Sequence, residues 1–124
     1  MVQSEILQKW ETEFKKGFAK PFILLTLAKK PNYAYSLTKE INVNTNGQIS
    51  ITVSSIYPIL KNLQDEELIE GKKEPKPTKQ PSLDRKSQLR TVYSLTSKGE
   101  QLLNSLSKSL EEFSNIIQRH IDVL

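Results

Sequence analysis

The chain has 124 residues, 36% of them hydrophobic and 26% charged, with a net charge of +4. A chain of this length buries roughly two thirds of its unfolded surface, enough for one domain with a core of its own and hardly for two. It has no cysteine and one histidine, His120. That excludes disulfides, zinc fingers, thiolate catalysis and a multi-histidine centre, so no metal is expected. No arrangement of Ser, His and acid looks catalytic and no Gly-rich phosphate loop is present, so no enzymatic activity is expected either.

The longest apolar run, Phe22 to Leu27, is interrupted by Thr26 and is far too short to span a bilayer. The N-terminus is polar from Gln3 to Glu5, which argues against a secretory leader. An intracellular protein with no membrane partner is the expectation. Charge is unevenly placed. Residues 71–90 hold Lys72, Lys73, Lys76, Lys79, Arg85, Lys86 and Arg90 against Glu74 and Asp84, a local +5, which leaves about −1 for the remainder. A positive excess confined to one short segment suggests a local polyanion contact.

In chain order, Ile6, Leu7, Trp10, Phe14 and Phe18 recur at helical spacing, predicting an amphipathic helix over residues 4–18 capped by Ser4. Gly17 and Pro21 predict a break. Phe22–Ala28 then reads as a short helix, apolar nearly all round and central to the core. After Lys29-Lys30-Pro31-Asn32, a third helix is predicted over Tyr33–Ile41 with Tyr33, Leu37 and Ile41 on one face. Asn46-Gly47 marks a turn within residues 42–50.

The next helix is expected from about Thr52 to Glu67, with Ile56, Ile59, Leu60 and Leu63 as its buried stripe. Pro58 lies inside it. With Thr52 as N-cap the proline removes one backbone hydrogen bond, whereas with Ser54 or Ser55 as cap it falls in the first turn. Short hydroxyl side chains at the tip and a buried far side suit a helix that enters a DNA major groove.

Residues 68–73 and 89–95 read as two strands, the second alternating Leu89, Thr91, Tyr93 and Leu95 against Arg90, Val92 and Ser94. The tip between them, residues 74–88, carries Pro75, Pro77 and Pro81 among its lysines. Thr96 or Ser97 caps a last helix, and Ser97 with Glu100 forms a capping-box pattern. Along it Leu103, Leu106, Leu110, Phe113, Ile117, His120 and Leu124 alternate at intervals of three and four, a heptad seam. Leu102, Ile116 and Val123 widen it.

Helix, helix, reading helix and two-stranded wing is the order of a winged helix-turn-helix. The segments Tyr33-Ala-Tyr35-Ser-Leu37, Ser55-Ile-Tyr57-Pro58-Ile-Leu60-Lys-Asn-Leu63, Leu68-Ile69-Glu70 and Tyr93-Ser-Leu95-Thr96-Ser-Lys-Gly99 closely resemble the PadR family of transcriptional regulators, in order over residues 20–100. The Tyr-Pro within the reading helix is the most specific of these elements. The chain departs from the family pattern at Ala34, at Ser54-Ser55 and at Glu66-Glu67, where glycine or Gly-Thr is usual.

The resemblance implies a mainly α fold with a small β-wing, a short form with one C-terminal dimerisation helix. Residues 1–20 would be an N-terminal interface helix, 21–96 the winged helix-turn-helix and 97–124 the dimerisation helix. It further implies a homodimeric repressor of double-stranded DNA, no cofactor, and a small aromatic or hydrophobic effector. The expected DNA-binding residues are Tyr33, Tyr35, Lys39, Thr52, Ser54, Ser55, Tyr57, Lys61, Lys72, Lys73, Lys76, Lys79, Arg85, Lys86 and Arg90. Ile6, Trp10, Phe14, Leu103, Leu106, Leu110, Phe113 and Ile117 are expected at the dimer interface, with Trp10, Phe14 and Phe113 as candidate walls of an effector pocket. A different class, a DNA-coating or adaptor protein with little sequence preference (chromatin organisation or DNA segregation), would use the same module. A winged helix kept purely for protein contacts fits the basic wing poorly.

Overall fold

The computed structural model describes residues 2–76 and 89–124. Lys79, Arg85 and Lys86 lie outside them. Helix α1 (Val2–Lys15) passes through a 3-10 turn (Lys16–Phe18) into α2 (Ala19–Lys29). Strand β1 (Asn32–Tyr33) precedes α3 (Ala34–Asn44) and α4 (Val53–Asp65). The wing strands β2 (Ile69–Pro75) and β3 (Leu89–Leu95) follow, then α5 (Ser97–Asp122). The three strands form an antiparallel sheet in the order β1-β3-β2. This is the winged helix-turn-helix expected from the sequence, mainly helical with a small wing.

The core lies where α2, α3 and α4 meet beneath the sheet. Ile23, Leu24, Leu37, Ile41, Ile56, Leu60 and Leu63 are fully buried there. Each contributes about 1.5–3 kcal/mol by leaving water. Ile69, Tyr93 and Leu103 close the core from the wing and from α5.

Several local expectations change. Ser4 lies within α1 and is not its cap. The break predicted at Gly17 and Pro21 is a single 3-10 turn (Lys16–Phe18), with Gly17 inside it and Pro21 beyond it. Pro21 sits third in α2, and its missing N–H is accommodated by one tightened 3-10 turn. Tyr33 is not helical: Lys30, preceding Pro31, is extended, as proline's neighbour favours, and Asn32 and Tyr33 pair with Tyr93 and Val92 of β3. The α3 core face is therefore Ala34, Leu37, Thr38 and Ile41. At α5, Thr96 is the cap, its hydroxyl accepting from Gly99 N–H. That makes Ser97 the first helical residue, so the Ser97/Glu100 capping box does not form.

Helix α4 ends in a Schellman motif. Leu68 N–H donates to Leu63 O (3.0 Å) and Glu67 N–H to Gln64 O (2.9 Å). The residue this closure places in the left-handed region is Glu67, at φ 62°. A side chain there costs about 1 kcal/mol that glycine does not incur. Glu67→Gly should therefore raise stability by about 1 kcal/mol and Tm by about 3–4 °C, read by thermal melting. An unchanged or lower midpoint would show that the Glu67 side chain compensates through contacts of its own.

Candidate nucleic-acid interface

The hydroxyl-bearing tip of α4 faces outward. Thr52 is the N-cap, with Ser55 N–H donating to its Oγ1 at 3.2 Å. Thr52 Oγ1 donates to Ser55 Oγ at 2.8 Å and lies 3.2 Å from Ser54 Oγ. All three side chains are exposed, as are Tyr57 and Lys61 further along, while Ile56, Leu60 and Leu63 hold the opposite face in the core. Ile59 is only half-buried. With Thr52 as cap, Pro58 lies inside the helix. The carbonyl of Ser54 therefore lacks its helical donor at the exposed tip. The acidic residues sit at the other end: Glu66 pairs with Lys20 at 3.7 Å and its carbonyl accepts from Lys98 Nζ at 3.0 Å.

The loop leading into this tip is held by Thr45. Its Oγ1 donates to Ile41 O at 2.7 Å and accepts from Ile49 N–H at 3.0 Å. Asn46 and Gly47 turn the chain with positive φ.

Beside α4, between the start of α3 and the wing, lies a cleft of about 520 Å³. All four tyrosines of the chain line it. Tyr33 and Tyr35 come from the β1–α3 junction, Tyr57 from α4 and Tyr93 from β3. Its charged lining is Lys73, Lys76 and Arg90, with no carboxylate among the lining residues. The Arg90 guanidinium stacks 4.0 Å from the centre of the Tyr33 ring. Lys39 Nζ lies 4.7 Å from that of Tyr35.

Two phenols are shifted. Hydrogen bonding to the Ser36 side chain, followed by the charge of Arg90, holds Tyr33 below its ordinary pKa. Burial pushes Tyr93 up, reinforced by the neighbouring Tyr57 phenol.

Most of the expected DNA-binding side chains therefore share one side of the molecule. Tyr33, Tyr35, Tyr57, Lys73, Lys76 and Arg90 meet in the cleft, and Thr52, Ser54, Ser55 and Lys61 lie on the exposed face of α4. Lys39 stands next to Tyr35, and Lys72 is exposed on β2. Tyr93 was not expected in the site. Its place in an alternating strand signalled only burial, and at 6% exposed it is buried, yet it also floors the cleft.

A second cleft, about 600 Å³, separates α1 from the tip of α4, with Thr12, Lys15, Ile51, Thr52, Ser55 and Ile59 among its walls. Trp10, Phe14 and Phe113 line neither cleft and stand exposed on the single chain. Of the expected interface residues, Leu103 is instead buried in the chain's own core and Leu106 packs against it. The seam available to another chain starts beyond them, with Leu110 half-buried.

Comparison with known proteins agrees with this geometry. Residues 23–105 match the PadR-like family of transcriptional regulators. A PadR-like regulator from Bacillus cereus is 27% identical, with a TM-score of 0.72 over 88% of this chain and 96% of its own. A PadR family regulator from Eggerthella lenta, 19% identical, shares the fold over 98% of this chain and 96% of its own at a TM-score of 0.74. Bacillus subtilis PadR, solved in complex with operator DNA, is 30% identical over 70% of this chain and 44% of its own, at a TM-score of 0.58. With its winged helix-turn-helix and a match spanning well over half its length, the chain belongs to the PadR-like family of transcriptional regulators.

Proposed function

We propose that the protein is a homodimeric, sequence-specific repressor of double-stranded DNA, acting in the cytoplasm on the nucleoid. Its α4 tips enter successive major grooves and its wings lie on the flanking backbone. The observation that carries this reading is the outward-facing Thr52, Ser54 and Ser55 cluster beside a cleft holding Lys73, Lys76 and Arg90, with no acid among its described lining residues. Hydroxyls there reach base edges or phosphates, while the cations supply the sequence-independent attraction. The Bacillus subtilis relative was solved on operator DNA, which supports the same partner here.

Two such tips related by a two-fold axis address half-sites about 34–36 Å apart, one DNA turn. Dimerisation uses α1 and the distal part of α5. When two copies meet, the exposed rings of Trp10, Phe14 and Phe113 become the walls of a site for a small aromatic or hydrophobic effector.

Binding to a fragment upstream of the protein's own gene, against random duplex at physiological salt, tests the reading. A preference of about 10³-fold or more is expected, together with a footprint of one turn per half-site. A ratio near one would replace the sequence-specific regulator with the sequence-tolerant coating protein. In the same assay, replacing Lys72, Lys73 and Lys76 together should weaken all sequences alike and reduce the salt slope by about one for each phosphate no longer neutralised. An unchanged slope would mean that the wing does not neutralise the DNA backbone.

A further inference from the structure

Within the tyrosine-lined cleft, Tyr33 and Arg90 stand apart from the lysines. Lys73 and Lys76 are exposed. Arg90 is half-buried, and its guanidinium is held 4.0 Å from the centre of the Tyr33 ring. Its Nε is shielded from solvent and has no hydrogen-bond partner among the described residues. A buried donor without an acceptor is rare in folded proteins. Glu74 faces Arg90 directly in the β2–β3 register, yet the ion pairs among the described residues join Lys15 to Glu11, Lys20 to Glu66 and Lys30 to Glu40. The guanidinium has turned away from the carboxylate opposite and toward the ring.

The ring is itself fixed. Tyr33 pairs with Val92 of β3, which places Arg90 at the diagonal position on the neighbouring strand. The α3 N-terminus opens at the same place with no side-chain cap, and Ala34 lines the cleft.

We propose that Tyr33 and Arg90 form one clasp for a single DNA backbone phosphate, Arg90 supplying the charge and Tyr33 aiming it. The two terminal Nη groups present a planar N–H edge that matches two non-bridging phosphate oxygens. Stacking on the ring holds the guanidinium at the cleft wall before DNA arrives, so binding freezes less side-chain motion. Tyr33 is thus a positioning residue. The clasp rests on the DNA-binding reading above and assigns one phosphate contact within it.

The test is anisotropy with a labelled duplex from upstream of the protein's own gene, over roughly 50–200 mM salt. Arg90→Ala and Tyr33→Leu should each weaken binding by about tenfold, and the double variant by about tenfold again, not a hundredfold. Both should lower the salt slope by about one, although Tyr33→Leu removes no charge, an effect that a merely structural ring would not have. Tyr33→Phe should bind like the wild type, because the ring does the aiming. Arg90→Lys should not rescue, because an ammonium has no fork. The clasp is overturned by multiplying losses, by an unchanged slope in Tyr33→Leu, by a weak Tyr33→Phe, or by wild-type binding in Arg90→Lys, a variant that does not depend on how Tyr33→Leu folds.

Calorimetry with inorganic phosphate separates the two sources of the group. No saturable binding is expected at millimolar phosphate without DNA, and tight Arg90-dependent uptake would make this a site for free anions instead. If the wild type shows no salt-dependent hold on duplex, the DNA-binding reading itself fails. If the wild type binds while Arg90→Ala and Tyr33→Leu match it, only the clasp fails.

Discussion

Gly99→Ala is expected to destabilise the fold by about 3 kcal/mol and to lower Tm by about 10 °C. In an exposed helix interior the same change would stabilise by up to about 1 kcal/mol, since alanine is the better helix former. The direction of the effect therefore decides the matter. Gly99 is buried in the first turn of α5, and a methyl group on it would collide with the carbonyl oxygen of Leu68 and press within 3.3 Å of Leu95 Cδ2. Leu68 cannot retreat easily. Its side chain is 5% exposed, its N–H closes the end of α4, and its carbonyl accepts from Thr96 N–H at 3.1 Å.

The same turn holds the cap together. Thr96 Oγ1 donates to Glu67 O at 2.6 Å and accepts from Gly99 N–H at 3.0 Å. The first residues of α5 thus satisfy the carbonyls left open at the end of α4. Moving Gly99 loosens both helix ends at once. Calorimetric or circular-dichroism melting measures the effect. A variant within about 2 °C of the wild type would mean that the α4–α5 junction yields without cost.

That junction illustrates what was legible in the sequence. The Leu95-Thr96-Ser97-Lys98-Gly99 run was readable as the start of a helix. What it does for α4 was not, because the carbonyls it satisfies lie about thirty residues earlier in the chain. The long elements were readable for a local reason. Ile56, Leu60 and Leu63 repeat at helical spacing, and residues 89–95 alternate as a strand does. The local ambiguity at Thr52, Ser54 and Ser55 was one of competing hydroxyls, and the three-residue reach of Thr52 to Ser55 N–H resolves it.

Tertiary partners override local preference at several positions. Tyr33 looked like the first residue of a helix, but its conformation is set by pairing with Val92. Leu103 belonged to a seam by spacing and belongs to the core by packing. The exposed tip of α4 was visible in the sequence, since residue type and helical phase suffice to place it. The cleft was not, because it exists only when residues 33–35, 57, 73–76 and 89–93 converge.

The proposed dimer carries the second large prediction. Placing two carboxylates in the seam, Phe113→Glu with Ile117→Glu, should leave a folded single chain and weaken duplex binding by about a hundredfold or more. Helix α5 has 26 residues, about 39 Å, and only its first part packs on the body. Beyond Leu110, Phe113 is 58% exposed, Ile117 44% and Ile121 51%, while on α1 Trp10 is 67% and Phe14 59% exposed. Apolar stripes of this extent on two helices are the surfaces that the proposed dimer would cover. Covering them offsets the entropy of association, and two buried charges reverse that gain. Each half-site alone holds DNA weakly. Linking two raises the apparent affinity by about 10²–10⁴-fold, so losing the link loses that factor, while the tips and cleft stay intact. Sedimentation velocity reads the assembly, and Trp10, the one tryptophan in the chain, reports its environment. Its emission should be blue-shifted in the wild type and move to the red in the variant. A double variant that sediments like the wild type, or a wild type that holds its upstream duplex as a single chain with red-shifted Trp10, would rule out α1 and distal α5 as the surfaces that join two copies.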